Sequence, residues 1–135
     1  MFGRLRKSAE FERVRLVGKR RRGTYCMLNA ARSTATANDA LTRIGYITSK
    51  RIGNAVQRNR ARRLMRAAMR VLETQVAAGW DIVLIAQPSL AQPSLKMSVL
   101  RQELEWLLKQ TSILIPNKDN PSSKFSPDAA LSDVP

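Results

Sequence analysis

Ser49-Lys50-Arg51-Ile52-Gly53-Asn54-Ala55-Val56-Gln57-Arg58-Asn59-Arg60-Ala61-Arg62-Arg63-Leu64-Met65-Arg66 reads as a glycine-containing turn that becomes a helix running on towards Ala77. At about 100° per residue the helix divides into two arcs. Arg58, Asn59, Arg62, Arg63, Arg66 and Arg70 share one; Ala61, Leu64, Met65, Ala68, Val71 and Leu72 share the other, with Arg60 on the border. The apolar arc can bury against a core. The polar arc is a bank of guanidinium groups, whose planar forks suit phosphate oxygens. A charged helix face is ordinarily just solvated. This one carries a single sign of charge, and Glu73 is the first acid after it, so no acid lies four residues from an arginine within the stripe. Arginines spaced i,i+4 repel one another unless an anion lies across them. The helix therefore predicts a packed domain that presents a polyanion-binding face.

The charge distribution supports the same reading. The chain has 135 residues and a net charge of +14, enough length for one domain with a modest core. Residues 1–70 carry +16 and residues 71–135 carry −2, so the front half is the binding half. Nucleic acid and an anionic membrane surface are the polyanions to consider. Cys26 is the sole cysteine; no internal disulfide and no thiolate zinc cluster can form, and its apolar neighbours suggest a buried structural thiol. No apolar run approaches the about 20 residues of a membrane span, and the N-terminus lacks a signal-peptide hydrophobic block. A cytoplasmic location is the expectation.

Reading outward from the arginine helix, residues 1–7 form a basic, loosely held arm. Ser8 can cap a short helix, with Glu10 and Glu12 near its positive end, Phe11, Val14 and Leu16 on its apolar side, and Gly18 as its stop. Lys19-Arg20-Arg21-Arg22 then extends the basic surface next to the arginine helix. Residues 25–30 read as a strand, residues 32–40 as a hairpin connection turning at Asn38-Asp39, and residues 41–48 as an alternating strand. In that strand Ile44, Tyr46 and Thr48 share one face and Arg43, Gly45 and Ile47 the other. Residues 81–86 are nearly all apolar, as expected for a strand covered on both faces. Ser94 can cap a last helix reaching about Gln110, with Met97, Leu100, Leu104, Leu107 and Leu108 as its main apolar face and Val99 with Trp106 as a second patch. Residues 116–135 are expected to be a disordered tail, leaving residues 1–115 as a single domain. The order is α-β-β-α-β-α, with room for one more short strand near residues 24–48, which supports a two-layer α/β domain.

The chain lacks the usual equipment for catalysis. It has no histidine, which removes the commonest general base and metal ligand. Its few carboxylates show no spacing for a two-metal site; Glu103 and Glu105, two apart on a helix, face different ways. Gly53 stands alone, so there is no glycine-rich phosphate loop. As an isolated polypeptide the chain reads as a binder.

The quoted stretch resembles the signature of the bacterial ribonuclease P protein subunit. Ser49 and Arg51 match its first serine and basic partner, Gly53, Ala55 and Val56 its turn and helix start, Arg58-Asn59-Arg60 its central triplet, and Arg62, Arg63 and Arg66 its basic tail. The resemblance extends in element order from about Arg4 to Gln110. It implies an α+β, two-layer α/β sandwich of order α-β-β-β-α-β-α with a left-handed βαβ crossover. It also implies an endoribonuclease (a hydrolase) acting as a ribonucleoprotein in tRNA processing, in which the RNA subunit performs the phosphodiester chemistry with Mg²⁺ that it largely holds itself. The implied partners are the ribonuclease P RNA and precursor tRNA, with no membrane and no obligate protein partner. Lys50, Arg51, Arg58, Asn59, Arg60, Arg62, Arg63 and Arg66 would face the catalytic RNA. Phe11, Arg15 and Tyr25 would belong to a cleft for the single-stranded 5′ leader, where unstacked bases lie on aromatic faces. Arg15 stands where the family often has a second aromatic, and simple core packing explains Phe11 and Tyr25 about equally well. No catalytic or metal-binding residue is implied for this chain.

Three other readings compete. A structural RNA-binding protein of ribosomal type would share the basic helix but lack a leader cleft. A DNA regulator would put the helix in a major groove, but only Asn59 sits among the arginines as a base reader. A membrane-surface role lacks the interfacial Trp and Phe.

Overall fold

The near-continuous apolar run becomes β5 (Trp80–Ala86), the central strand of a five-stranded sheet. In the computed structural model, which describes residues 2–33 and 41–114, β5 pairs in parallel with β4 (Arg43–Ile47) and antiparallel with β3 (Cys26–Arg32). With helices over both faces, β5 needs no polar alternation. Outside these, β1 (Gly3–Arg4) joins β4 in parallel and β2 (Lys19–Arg22) joins β3 antiparallel, giving the order β1-β4-β5-β3-β2. The helices are α1 (Ser8–Val17), α2 (Ala55–Leu72) and α3 (Met97–Gln110). The expected α-β-β-β-α-β-α order is present, preceded by the two-residue β1.

Several local expectations are corrected. The extra strand is the cation run Lys19–Arg22 itself, not a segment within residues 24–48; all four of its residues are exposed, as an edge strand allows. The expected loose arm, so far as it is described (residues 2–7), is held: the Gly3 N–H donates to Thr42 O at 2.9 Å and the Leu5 N–H to Ile44 O at 3.2 Å. β3 and β4 do not form a hairpin; they lie on opposite sides of β5. The turn expected at Asn38-Asp39 and the tail 116–135 lie outside the described residues.

Sheet register sorts the core into two clusters. Leu28, Ile44, Ile82 and Leu84 face α2 and α3 and pack against Met65, Met69, Leu72, Leu100, Leu104 and Leu107. On the opposite face a smaller cluster of Leu5, Val14, Ala31 and Val83 lies under α1. On α2 the buried residues are Ala61, Met65, Ala68, Met69 and Leu72, whereas Val71, expected among them, is 50% exposed. Val71 lies about 100° from the centre of that stripe, beyond the reach of the sheet. The second patch expected on α3 does not form: Trp106 enters the main core while Val99 is exposed. Cys26 is buried, and burial pushes its thiol well above the ordinary range.

The helix caps also differ from expectation. Ser8 is the first residue inside α1, with Lys7 at the cap position; Glu10 reaches back to accept the N–H groups of Arg6 (3.0 Å) and Lys7 (3.1 Å). Those two bonds hold the Glu10 carboxyl down to about 2. Ser94 stands in the turn before α3, whose cap position is Lys96.

Glu103 on α3 explains how the β2–β3 turn is held. Its carboxylate accepts the N–H groups of Thr24 (2.7 Å), Tyr25 (2.8 Å) and Cys26 (2.9 Å). Burial raises the Glu103 carboxyl above its ordinary value, and the three donors counter that. Glu103→Ala leaves three donors without an acceptor, and each such loss costs about 1–3 kcal/mol when water is excluded. The site is only partly buried, so the expected total is about 3 kcal/mol. Glu103→Gln should recover part of it, because one acceptor oxygen remains. Urea unfolding of the two variants measures both values.

Candidate nucleic-acid interface

The turn before α2 is built by Ser49, whose Oγ accepts from the Arg51 N–H at 3.3 Å, and by Gly53, whose φ of +139° disfavours a side chain. Asn54 then starts the helix: its Oδ1 accepts the Gln57 N–H and Gln57 Oε1 accepts the Asn54 N–H, both at 2.9 Å. With its apolar stripe in the core, α2 holds its arginines at fixed azimuths.

The guanidinium groups on this face are positioned by neutral acceptors. Arg58 donates to Gly53 O at 2.9 Å. Arg62 donates to Asn59 Oδ1 at 3.0 Å and to Thr48 Oγ1 at 2.6 Å. Arg66 lies 5.6 Å from the centroid of the Tyr46 ring. Arg63, Arg66, Lys50 and Arg51 are exposed. Among the described residues Arg62, Arg63 and Arg66 form no ion pair; the pairs lie elsewhere, as in Arg43–Asp81, Arg43–Glu10 and Arg101–Glu105. Neutral partners orient Arg58, Arg62 and Arg66 without cancelling their charge. Arg60 is the departure: it donates to Gln92 O (3.0 Å) and Pro93 O (2.8 Å), clamping the loop before α3 instead of joining the bank.

Beside this face lies a cleft of about 480 Å³ lined by Phe2, Phe11, Tyr46, Arg62, Arg66 and Arg70. Burial pushes the Tyr46 hydroxyl up to about 12, although Arg66 and Arg70 pull it the other way. It therefore remains a neutral ring and hydroxyl at ordinary pH. A second groove of about 370 Å³ meets the first at Phe11 and Tyr46. α1 walls it with Phe11 and Arg15; Asn29, Ile47, Val83 and Ile85 lie along its sheet side. Phe11 lies so close over Gly45 that a Cβ there would come within 2.4 Å of its ring. Arg15 is paired with Glu12, which also lines the groove. Aromatic faces adjoining guanidinium groups are what a single-stranded nucleic acid needs, since bases stack and phosphates pair.

The cleft residues expected from the sequence are thus divided. Phe11 and Arg15 share a groove, while Tyr25 packs against the main core instead. Sequence reasoning missed Phe2, Tyr46 and Asn29. Tyr46 was legible in part, because strand alternation placed it on a definite face. Phe2 was not, because its position depends on the parallel pairing of β1 with β4. Asn29 is 4% exposed and its Oδ1 has no hydrogen-bond partner among the described residues; a lone asparagine in an apolar strand gives no advance signal of that.

Comparisons with known proteins identify the family and the fold. The family model described as Ribonuclease P matches residues 2–112. A ribonuclease P protein component from Dehalococcoides mccartyi (strain CBDB1) is 36% identical over 93% of this chain and 96% of its own length. One from Roseiflexus sp. (strain RS-1) is 46% identical over 66% of this chain and 70% of its own length. The solved ribonuclease P protein from Thermotoga maritima superposes with a TM-score of 0.70 at 25% identity, covering 79% of this chain and 96% of that one. The Staphylococcus aureus protein shares the fold, with a TM-score of 0.71 at 24% identity over 84% of this chain and 99% of that one. With the family model spanning nearly the whole described chain, this protein belongs to the ribonuclease P protein family.

Proposed function

We propose that the chain is the protein subunit of a ribonucleoprotein endonuclease that removes 5′ leaders from precursor tRNA. In this reading the arginine face of α2 binds the RNA subunit, and the aromatic hollows beside α1 take the single-stranded leader. The observation that carries it is the set of guanidinium groups at Arg62, Arg63 and Arg66, of which Arg62 and Arg66 are oriented by neutral partners and Arg63 is exposed, all backed by a buried stripe. Lys50, Arg51, Arg58 and Asn59 extend that face, and Arg60 supports it by fixing the neighbouring loop.

The chemistry is assigned to the RNA. Asp81 and Glu10 are engaged by arginines, Glu103 by three backbone N–H groups, and Glu105 by Arg101. Among the described residues no three of His, Cys, Asp and Glu converge as metal ligands would. This donor set does not fit Mg²⁺, so the ion is placed on the RNA. The protein's part is to neutralise phosphate repulsion and hold the leader in register, contributions that count most when Mg²⁺ is scarce.

Reconstitution tests this reading. The protein alone should leave precursor tRNA intact, and a bacterial ribonuclease P RNA alone should cleave poorly at low Mg²⁺. Together they should cleave to give the mature 5′ end. Cleavage by the RNA-free protein would overturn the division of labour; failure to stimulate the RNA would leave a structural RNA-binding protein of ribosomal type.

A further inference from the structure

The run Lys19–Arg22 does not adjoin the arginine helix in space. β2 is the edge strand of the sheet furthest from β1, and α3 is the helix beside it. The polyanion surface is therefore not one continuous patch, and β2 needs its own account. Charged side chains on an edge strand do discourage pairing with other chains. That purpose would not depend on which face of the sheet each cation occupies, whereas the register here makes the face informative.

Arg20 is opposite Asn29, which is opposite Val83; Arg22 is opposite Met27, which is opposite Ile85. Residues paired in register point to the same face. Asn29, Val83 and Ile85 line the groove under α1, and Ile47, next in the second row, lines it too. Both rows of the groove floor thus end in an arginine at the open edge, about 5 Å per strand further on, with the two arginines about 7 Å apart along β2. Lys19 and Arg21 are opposite Ala30 and Leu28, which belong to the α2–α3 side. Arg22 is held by a neutral partner, donating to Gln87 Oε1 at 3.2 Å and 3.3 Å, and among the described residues it forms no ion pair. The groove between is largely apolar and so contributes little to a phosphate chain's path by itself.

We infer that Arg20 and Arg22 form the exit of the groove, pairing with the phosphates of a single-stranded RNA segment that lies across the sheet floor and leaves over β2. This rests on the leader-binding reading above, and the occupant is the part of the 5′ leader furthest from the cleavage site. Lys19 and Arg21, on the other face, take no part.

The test is holoenzyme affinity for precursor tRNAs whose leaders are lengthened a few nucleotides at a time. For the natural protein, affinity should rise with leader length and then level off. In Arg20→Ala/Arg22→Ala the last gain should vanish, weakening the longest leader about tenfold and the shortest less than about twofold; the salt slope for the longest should flatten by about 1.4, two single-strand contacts. Lys19→Ala/Arg21→Ala should stay near the natural curve, and Arg20→Lys/Arg22→Lys should recover most of the loss. Equal weakening at every leader length, equal effects of the two double variants, or no weakening would each overturn the inference. A natural protein indifferent to leader length would overturn the leader reading itself, and the exit with it.

Discussion

Replacing Arg62, Arg63 and Arg66 together by glutamine should weaken binding to the ribonuclease P RNA by about two orders of magnitude near 0.15 M salt. The estimate follows from counterion release. Each phosphate contact contributes a slope of about 0.9 in log K against log[salt], worth roughly fivefold at that ionic strength, and three contacts multiply. The slope itself should flatten by about 2.7, and the single variants Arg62→Ala and Arg66→Ala by at most about 0.9 each. Glutamine keeps the stem that covers the helix, so lost packing contributes little. Arg60→Ala is the internal contrast. Its guanidinium holds Gln92 O and Pro93 O, so its loss should lower thermal stability more than it flattens the slope. An unchanged slope in the triple variant would place the bank in solvent and remove the main support for RNA binding.

How legible this was differs by element. The arginine helix and β5 could be read directly because each obeys one local rule: a stripe of period 3.6, and an apolar run covered on both faces. Signature residues added what no periodicity could, the identity of the polyanion. The misreadings share a cause, which is long-range pairing. Lys19–Arg22 has no strand signal, since its strand state comes from antiparallel pairing with β3. Residues 32–40 looked like a hairpin because sequential strands usually neighbour one another, yet β5 inserts between β3 and β4. The same pairing brought Asn29 to the groove floor while Tyr25 packed into the core. Arg60 shows the limit of a motif: it sits in the signature triplet, but its border position on α2 turns it to a loop.

Asp81→Ala should destabilise the free protein by about 3 kcal/mol, which is about 15 °C in thermal unfolding for a domain of this size. Asp81 is 1% exposed, and its carboxylate takes Arg43 in a two-point contact, Nε at 3.0 Å and Nη2 at 2.9 Å, together with Arg13 at 3.3 Å. Removing it takes a partner from two cations; Arg43 retains Glu10 and Arg13 retains Arg32 O, and each side chain is 31% exposed and can regain some water, which sets the estimate at the low end for a broken buried pair. Arg43 also holds Glu10, so the same network fixes α1 to the sheet. Glu10 adds a pH signature. Its carboxyl falls from an ordinary 4.5 to about 2 in the folded state, so the unfolded chain takes up the proton first. The stabilisation is complete above about pH 4.5 and is lost as pH falls through about 2. Glu10→Gln should therefore lower stability at pH 7 and make unfolding less steep across that acid window. Because Phe11 and Arg15 ride on α1, the Asp81 variant carries a functional prediction as well. At temperatures where it is still folded, it should lose the affinity gained from the leader while keeping the salt slope set by α2. If leader affinity survives a large loss of stability, α1 is held by its apolar contacts alone, and the ion network serves the sheet instead of the groove.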